Sequence, residues 1–194
     1  MQTPSGLVEV VKRYPKFTFQ FTQSLPGVLK NDFTFSKIDF RTDYNINFLN
    51  GQQTNLLLEA GLAIGDIPLT HLYSTSPNNL NETTVWQRIT FAGKNTFETM
   101  YFNEFFSSEY VSFQLKHGFN SFIISKSIQP CVVVVTRMAW GDMQNPENQL
   151  GMAYKTLKRG FYESGLELNQ IFKGLGMGGY YRYCPNGLSS FKDN

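Results

Sequence analysis

The chain has 194 residues, of which 41% are hydrophobic, 16% charged and 15% aromatic, and it carries a net charge of +2. The hydrophobic fraction is too high for a disordered chain, and so small a charge gives no electrostatic surface for nucleic acid. The longest aliphatic run, Val132–Val135, is far shorter than the ~20 residues of a transmembrane helix. An aromatic-rich, charge-poor β protein remains, either soluble or in a membrane.

The strongest strand signals lie in the first third of the chain. Lys16–Thr22 alternates apolar and polar residues, and Ile38–Phe48 places Asp, Arg or Asn at every odd position. Alternation kept over about 9–11 residues is typical of a strand that crosses a bilayer with one face toward lipid. Asn50 and Gly51 predict a tight hairpin turn with both residues at positive φ. The return strand is expected at Asn55–Gly65.

The rest of the chain predicts further strands separated by loops. A loop rich in Pro, Ser and Asn follows at 66–81, and a short helix is expected to start at Pro146 within Met143–Leu157. The further strands are expected at Val85–Phe91, Glu109–Phe119, Cys131–Gly141, Gly160–Phe172 and Leu175–Cys184.

About eight strands, joined by short turns on one side and longer polar loops on the other, describe an all-β antiparallel barrel or meander. We see no repeat, linker or change in composition, so residues 1–194 are expected to form a single domain. The polar face carries Asn, Thr, Gln and Ser with balanced Asp and Arg, as the interior of a membrane barrel does. We therefore favour a segment of a transmembrane β-barrel.

A soluble lipocalin-like barrel or sandwich is the alternative. Such a module would bind an apolar ligand among its aromatic side chains. The candidates for that site are Phe17, Phe19, Phe21, Phe40 and Tyr44.

Acidic and basic residues at predicted interior positions form a candidate network. Its members are Asp39, Arg41, Asp43, Glu59, Glu163, Glu167 and Arg182. Paired carboxylates can hydrolyse glycosides. Alternating acids and arginines inside a barrel more often form structural ion pairs, so we do not expect catalysis here.

Two other patterns have simpler explanations than chemistry. The glycines of Gly174–Gly179 precede a strand rather than a helix, so they lack the helix N-terminus that a nucleotide-binding loop requires. His117, with Asn120 and Ser121 close by, could belong to a lipid hydrolase if a serine approached it from a neighbouring strand. An interfacial histidine at a strand end is the simpler interpretation.

The cysteines and the N-terminus leave several questions open. Cys131 and Cys184 have neither a CxxC nor a metal-site spacing, so pairing and two free thiols are both possible, and no metal or cofactor is expected. No apolar stretch follows Met1, so no secretory signal is visible. The chain is expected to be either intracellular or a piece of a longer exported protein. A basic cluster at 155–159 is explained by a solvated loop.

A block between residues 102 and 126 combines acidic, aromatic and serine residues with the sequence His-Gly-Phe-Asn. Its matching members are Glu104, Phe105, Ser108, Tyr110, His117, Phe119, Asn120 and Lys126. The block resembles a signature of uncharacterised bacterial outer-membrane barrel proteins, in which a carboxypeptidase-regulatory-like sandwich precedes the barrel. Segments 65–72 and 165–183 are similar to other parts of that family. The closing strands are more distantly similar to surface-antigen barrels that assemble outer-membrane proteins.

The resemblance covers residues 14–194 and implies the C-terminal part of a barrel of about sixteen strands. It implies a location in the cell outer membrane, contact with membrane lipid and with other outer-membrane or periplasmic proteins, and no nucleic-acid partner. The family supplies no catalytic residue or cofactor to transfer. We therefore expect a non-enzymatic protein that supports membrane assembly, transport or surface attachment.

Overall fold

The computed structural model describes residues 2–3, 6–7, 14–27, 33–79, 93, 95–125, 128–146, 154–172, 175–183 and 186. In chain order the strands are β1 (Gln2–Thr3), β2 (Gly6–Leu7), β3 (Lys16–Gln23), β4 (Phe35–Asn47), β5 (Gln53–Gly65), β6 (Pro77–Asn79), β7 (Phe97–Tyr101), β8 (Glu109–Gly118), β9 (Cys131–Asp142), β10 (Phe161–Phe172) and β11 (Leu175–Tyr183). Seven of them form one open antiparallel sheet in the order β11-β10-β9-β8-β5-β4-β3. Leu69–His71 forms a 3-10 turn. Within the described ranges, no helix is long and apolar enough to cross a membrane.

The all-β antiparallel prediction is confirmed, and the long predicted strands lie within one to three residues of their observed bounds. The expected loop at 66–81 instead contains the 3-10 turn and β6, which pairs in parallel with the unpredicted β7. The predicted strand Val85–Phe91 lies outside the described residues. So does most of the predicted helix, since residues 147–153 are not described.

The hairpin between β4 and β5 is confirmed, but its turn type differs from the prediction. In the loop 48–52, all of which is described, only Gly51 adopts a positive φ, of 89°. The amide of Gly51 donates to the carbonyl of Phe48 over 3.0 Å, and the amide of Phe48 donates to the carbonyl of Gln52 over 2.9 Å. This is a type I turn followed by a left-handed glycine, which fits the right-handed strand twist as well as two positive-φ residues would.

The sheet has one polar and one apolar face because successive side chains of a strand point to opposite sides. On the face we call the polar face, Arg41 lies opposite Glu59. On the apolar face, Phe19 lies opposite Phe40. The alternation seen in the sequence therefore continues across the whole sheet.

The two ends of the sheet carry connections of different length. The end we call the hairpin end carries the loop 48–52 and the short link between β10 and β11, together with the segment 119–130. The other, which we call the loop end, carries the connections 24–34, 66–108 and 143–160. Two described parts of the longest connection, residues 66–79 and 95–108, fold over the polar face, and we call them the cap.

The core lies between the cap and the loop-end half of the polar face. One cluster of buried residues consists of Phe35, Ala63, Ile67, Leu72, Tyr73, Phe106 and Met143. A second consists of Phe97, Met100, Phe105, Ala139, Leu157 and Phe161. At the loop end, side chains of the cap displace water from the small residues of the strands, so this half of the polar face is dry.

Candidate functional site

The predicted charged network lies on one face, but the structure divides it into separate clusters. The guanidinium of Arg41 binds Asp43 at 2.8 Å and Glu59 at 2.7 Å. The side chain of Arg41 is 39% exposed, so this cluster is wet. Each of the other predicted members binds a residue that the sequence did not place in the network. These members are Asp39, Glu163, Glu167 and Arg182.

The second cluster centres on Glu163 and is dry. Arg137 is fully buried, and its Nη1 lies 2.6 Å from Oε1 of Glu163. Glu163 also accepts the backbone amides of Glu98 and Thr99, at 3.2 and 2.6 Å, and the hydroxyl of Thr99 at 2.7 Å. A buried charge pair is favourable only when such hydrogen bonds satisfy it. Glu163 therefore fixes β7 of the cap to the sheet.

The third cluster joins Arg182 of β11 to Glu104 of the cap. Two guanidinium nitrogens donate to the two carboxylate oxygens, at 3.0 and 2.7 Å. This bidentate geometry is the strongest form of an arginine–carboxylate pair. The cation also lies 4.7 Å from the ring centre of Phe161. Glu104 has a second cation, Lys155, at 3.3 Å.

A hydrogen bond attaches the first part of the cap, residues 66–79, to β4. The hydroxyl of Tyr73 donates to Asp39 over 2.7 Å. Lys37 lies 4.2 Å from the centre of the same ring. Burial and the neighbouring carboxylate raise the pKa of Tyr73 above its ordinary value, so the phenol stays neutral and donates.

Toward the hairpin end, Glu167 forms a fourth cluster. It accepts the ammonium of Lys116 at 3.0 Å, the hydroxyl of Tyr180 at 2.6 Å and the amide of Asn169 at 3.2 Å. The ring of Tyr180 also lies under Arg137, 5.2 Å from its guanidinium carbon. Tyr180 therefore connects the dry clusters with the open part of the polar face.

Among the described residues, a cleft of about 900 Å³ lies open on the hairpin-end half of the polar face. Of its nineteen lining residues, eight are Asn or Gln and three are charged. The walls come from β4, β5, β8, β9 and β10, so adjacent strands rather than one loop build the cleft. A polar cleft on a rigid sheet can bind a ligand or hold water.

The residues of the predicted family signature do not converge on one site. Glu104 and Phe105 belong to the cap, where Phe105 is buried. Ser108 is also buried and its hydroxyl accepts the amide of Gln144 at 2.8 Å, while the ring of Tyr110 lies 4.4 Å from that of Tyr73.

The remaining signature residues lie toward the hairpin end. His117 is on the apolar face and Phe119 lines the cleft. A Cβ built on Gly51 would lie 3.4 Å from the side-chain oxygen of Asn120. Lys126 lies outside the described residues. The signature therefore spans both ends of the sheet.

The geometry around His117 differs from that of a serine hydrolase. Its Nδ1 lies 2.8 Å from the hydroxyl of Thr54, and its ring packs against Phe48 and Phe119. Among the described contacts of His117 there is neither a serine nor a carboxylate. No group of three metal-ligating side chains occurs in the part of the chain that the structure describes.

The glycines of β11 make room for larger polar-face side chains. A Cβ on Gly176 would lie 2.5 Å from the amide oxygen of Asn169, and one on Gly178 would lie 3.1 Å from the ring of Tyr180. They continue a strand, as the sequence predicted, rather than a phosphate-binding loop. Cys131 is a free thiol whose Sγ donates to the carbonyl of Phe119 at 3.0 Å, and Cys184 lies outside the described residues.

Sequence reasoning missed three charged residues of the clusters: Arg137, Lys116 and Glu98, whose carboxylate lies 3.7 Å from Nη2 of Arg137. Arg137 and Lys116 sit at polar-face positions of β9 and β8, and their alternation with neighbouring residues was the available signal. Glu98 had no comparable signal, because the cap is irregular and β7 was not predicted.

The five apolar-ligand candidates lie elsewhere. Phe17, Phe19 and Phe21 are 57–68% exposed on β3. Phe40 and Tyr44 lie on the same apolar face of β4. None of the five lines the cleft.

Comparisons of this chain with protein-family models, with curated proteins and with solved structures found no match. The family resemblance therefore stays a prediction, and arguments about function depend on the geometry.

Proposed function

We propose that this chain is part of a non-enzymatic outer-membrane β-barrel protein that supports membrane assembly, transport or surface attachment. The observation that carries the proposal is the extended apolar face of the seven-stranded sheet. Phe19, Leu166 and Met177, on strands from one edge of the sheet to the other, are 68%, 61% and 66% exposed. An exposed apolar surface of this extent is rare on soluble monomers but is required next to lipid.

Strand length supports the same conclusion. β4 and β5 have 13 residues each. At ~3.4 Å per residue, such a strand is about 44 Å long, and a tilt of about 45° lets it cross about 30 Å, the thickness of a bilayer hydrocarbon core.

Aromatic clusters at both ends of the apolar face fit the two membrane interfaces. At the loop end, Trp140 donates to the hydroxyl of Tyr162 at 3.1 Å, and Tyr162 stacks on Tyr183. At the hairpin end, His117 packs between Phe48 and Phe119. Rings with an apolar body and a polar atom are favoured where hydrocarbon meets headgroups.

The direction of the edge strands indicates how such a barrel would close. β3 and β11 both run from the hairpin end to the loop end, so antiparallel closure requires an odd number of further strands. A barrel of eight strands has an interior just wide enough for side chains. The cap needs more room, which favours a larger barrel with the cap inside its mouth.

Fractionation of the intact protein tests the proposal. We expect it in the outer-membrane fraction of a Gram-negative host, extracted by detergent, with a gel mobility that changes on heating. Solubility in the aqueous phase without detergent, together with unchanged mobility on heating, would overturn the proposal.

The first prediction tests lipid contact at one residue. Leu166 lies at the middle of β10 on the apolar face, so Leu166→Arg should lower the free energy of unfolding in lipid by about 2–4 kcal/mol. Ile64, also exposed on that face but next to the end of β5, provides the matched control. Ile64→Arg should cost about 0–1 kcal/mol because the interface is near. Urea titration of protein in vesicles measures both values, and equal effects would contradict lipid contact.

A further inference from the structure

The cleft on the hairpin-end half of the polar face lacks an assigned role in the proposed function. Its lining is unlike that of a pocket for an apolar ligand, which consists mainly of hydrophobic and aromatic side chains. Amides dominate here, and seven of them lie on strands: Asn45, Asn47, Gln53, Asn55, Gln114, Asn169 and Gln170.

The charges of the cleft are already neutralised by neighbours. Asp43 lies 2.8 Å from Arg41, and Lys116 lies 3.0 Å from Glu167. Lys116 is the one cation among the described lining residues, and its ion pair occupies it. An anionic ligand would therefore meet no available cation, and a cationic ligand would compete with existing ion pairs.

The amides of β4 and β5, in contrast, are available. Asn45 lies opposite Asn55, and Asn47 lies opposite Gln53, so two successive cross-strand pairs form an amide ladder. Within the described part of the chain, none of these four side chains has a hydrogen-bond partner. An amide presents both donors and acceptors. A hydroxyl group does the same, so polyhydroxylated molecules match this ladder.

A buried acceptor in the wall gives independent support. Gln114 is 4% exposed, and its Nε2 donates to the carbonyl of Asn95 at 3.2 Å. Its Oε1 has no hydrogen-bond partner among the described residues. An unsatisfied buried acceptor carries a free-energy penalty that a donating group from a ligand or from water would remove.

The cleft also contains an apolar patch. Leu57 and Val133 line it at polar-face positions of β5 and β9. A sugar ring has hydroxyls around its edge and C–H groups on its faces, so it can use both kinds of surface. We propose that the cleft binds a neutral, polyhydroxylated ligand of the carbohydrate class. The inference deepens the proposed function and rests on it, because only a closed barrel encloses the cleft.

Calorimetry with the intact protein in detergent tests the inference. The probes are maltohexaose, cellohexaose and mannohexaose, with hexalysine and hexaglutamate as charged controls. We expect at least one neutral saccharide to bind and neither peptide to do so. Binding of a charged peptide in place of all three saccharides, or of no probe, would overturn the inference.

Two variants locate the binding site. Gln53→Met with Asn55→Leu removes two amides at similar volume and should weaken saccharide affinity about tenfold, equal to about 1.4 kcal/mol. Asn55→Asp removes the amide donors without a change in size and should also weaken binding. If the double variant fails to fold, this single variant still tests the site. Asn145→Leu, at an exposed position on the loop end, is the matched control and should bind like the parent. Unchanged affinity in both cleft variants would overturn the inference.

Flotation of the same preparations with liposomes separates the two proposals. Insertion without saccharide binding overturns the carbohydrate site and leaves the proposed function standing. A failure to insert overturns the proposed function, and with it the inference that rests on it.

Discussion

The two halves of the polar face are built from the same strands but have opposite environments. At the loop end and the centre, the cap covers the sheet, and Arg137, Glu163 and Arg182 are at most 1% exposed. Toward the hairpin end, the described residues of the cap contribute only Asn95 to the cleft, and Asn45 and Asn47 are exposed. A single alternating pattern thus supports a dry anchoring surface and an open cleft.

The comparison shows that the role of a polar residue depends on whether the cap covers it, and not on the strand that carries it. Under the cap, backbone amides of β7 donate to Glu163, and the carboxylate of Glu98 lies 3.7 Å from Nη2 of Arg137. In the cleft, the charged side chains pair with one another, and the amides are left to water or a ligand. The covered half therefore fixes structure, and the open half is where a ligand has access.

The largest expected effect separates a covered from an uncovered ion pair. Arg137→Met leaves Glu163 buried without its cation, so we expect a loss of about 3–5 kcal/mol of unfolding free energy. Lys116→Met is the matched change beside the cleft. It should cost about 1 kcal/mol or less, because Glu167 keeps two other donors and can be hydrated.

Urea titration in detergent measures both variants, and limited proteolysis of the cap reports where the structure loosens. We expect cleavage within 95–108 for Arg137→Met and none for Lys116→Met. Equal losses of stability would contradict the division of the polar face into two environments.

The next prediction tests the side chain that joins the two halves. A Cβ on Gly165 would lie 2.3 Å from the ring of Tyr180, which contacts both Arg137 and Glu167. Gly165→Ala should therefore cost about 1–3 kcal/mol by overpacking. Gly179 has no atom within 4 Å of its added Cβ, so Gly179→Ala is the control and should be close to neutral. Thermal unfolding in detergent measures both, and a neutral Gly165→Ala would show that Tyr180 moves freely.

Much of the sheet could be predicted from the sequence, because alternation is a local signal. The seven strands of the main sheet and the polar positions of Asp39 and Glu59 follow from a period of two, and the hairpin follows from Asn50 and Gly51. The clusters could not be predicted, since they depend on long-range contacts. Glu104 lies 78 residues from Arg182 in the chain, and the cap that carries it has no regular period.

The partners within the predicted network also escaped sequence reasoning for a physical reason. Glu163 lies opposite Arg182 on one neighbouring strand and opposite Arg137 on the other. Register alone allows either pair. The cap selects between them, because Glu104 binds Arg182 in a bidentate geometry and leaves Arg137 to Glu163.

The smallest expected effect concerns the edge of the covered half, where Tyr73 holds the cap to Asp39. Tyr73→Phe removes one hydrogen bond next to a hydrated carboxylate and should cost about 1 kcal/mol near neutral pH.

The pKa of Tyr73 is raised in the folded protein, so the unfolded chain loses that proton first, at a pH of about 10. The contribution of Tyr73 to stability is therefore complete below that pH and falls as the pH rises further. We expect the stability difference between the parent and Tyr73→Phe to shrink between a pH of about 9 and one of about 11. The difference between the two proteins cancels the titration of the other tyrosines and lysines, and a constant value would show that the phenol of Tyr73 is not enclosed by the cap.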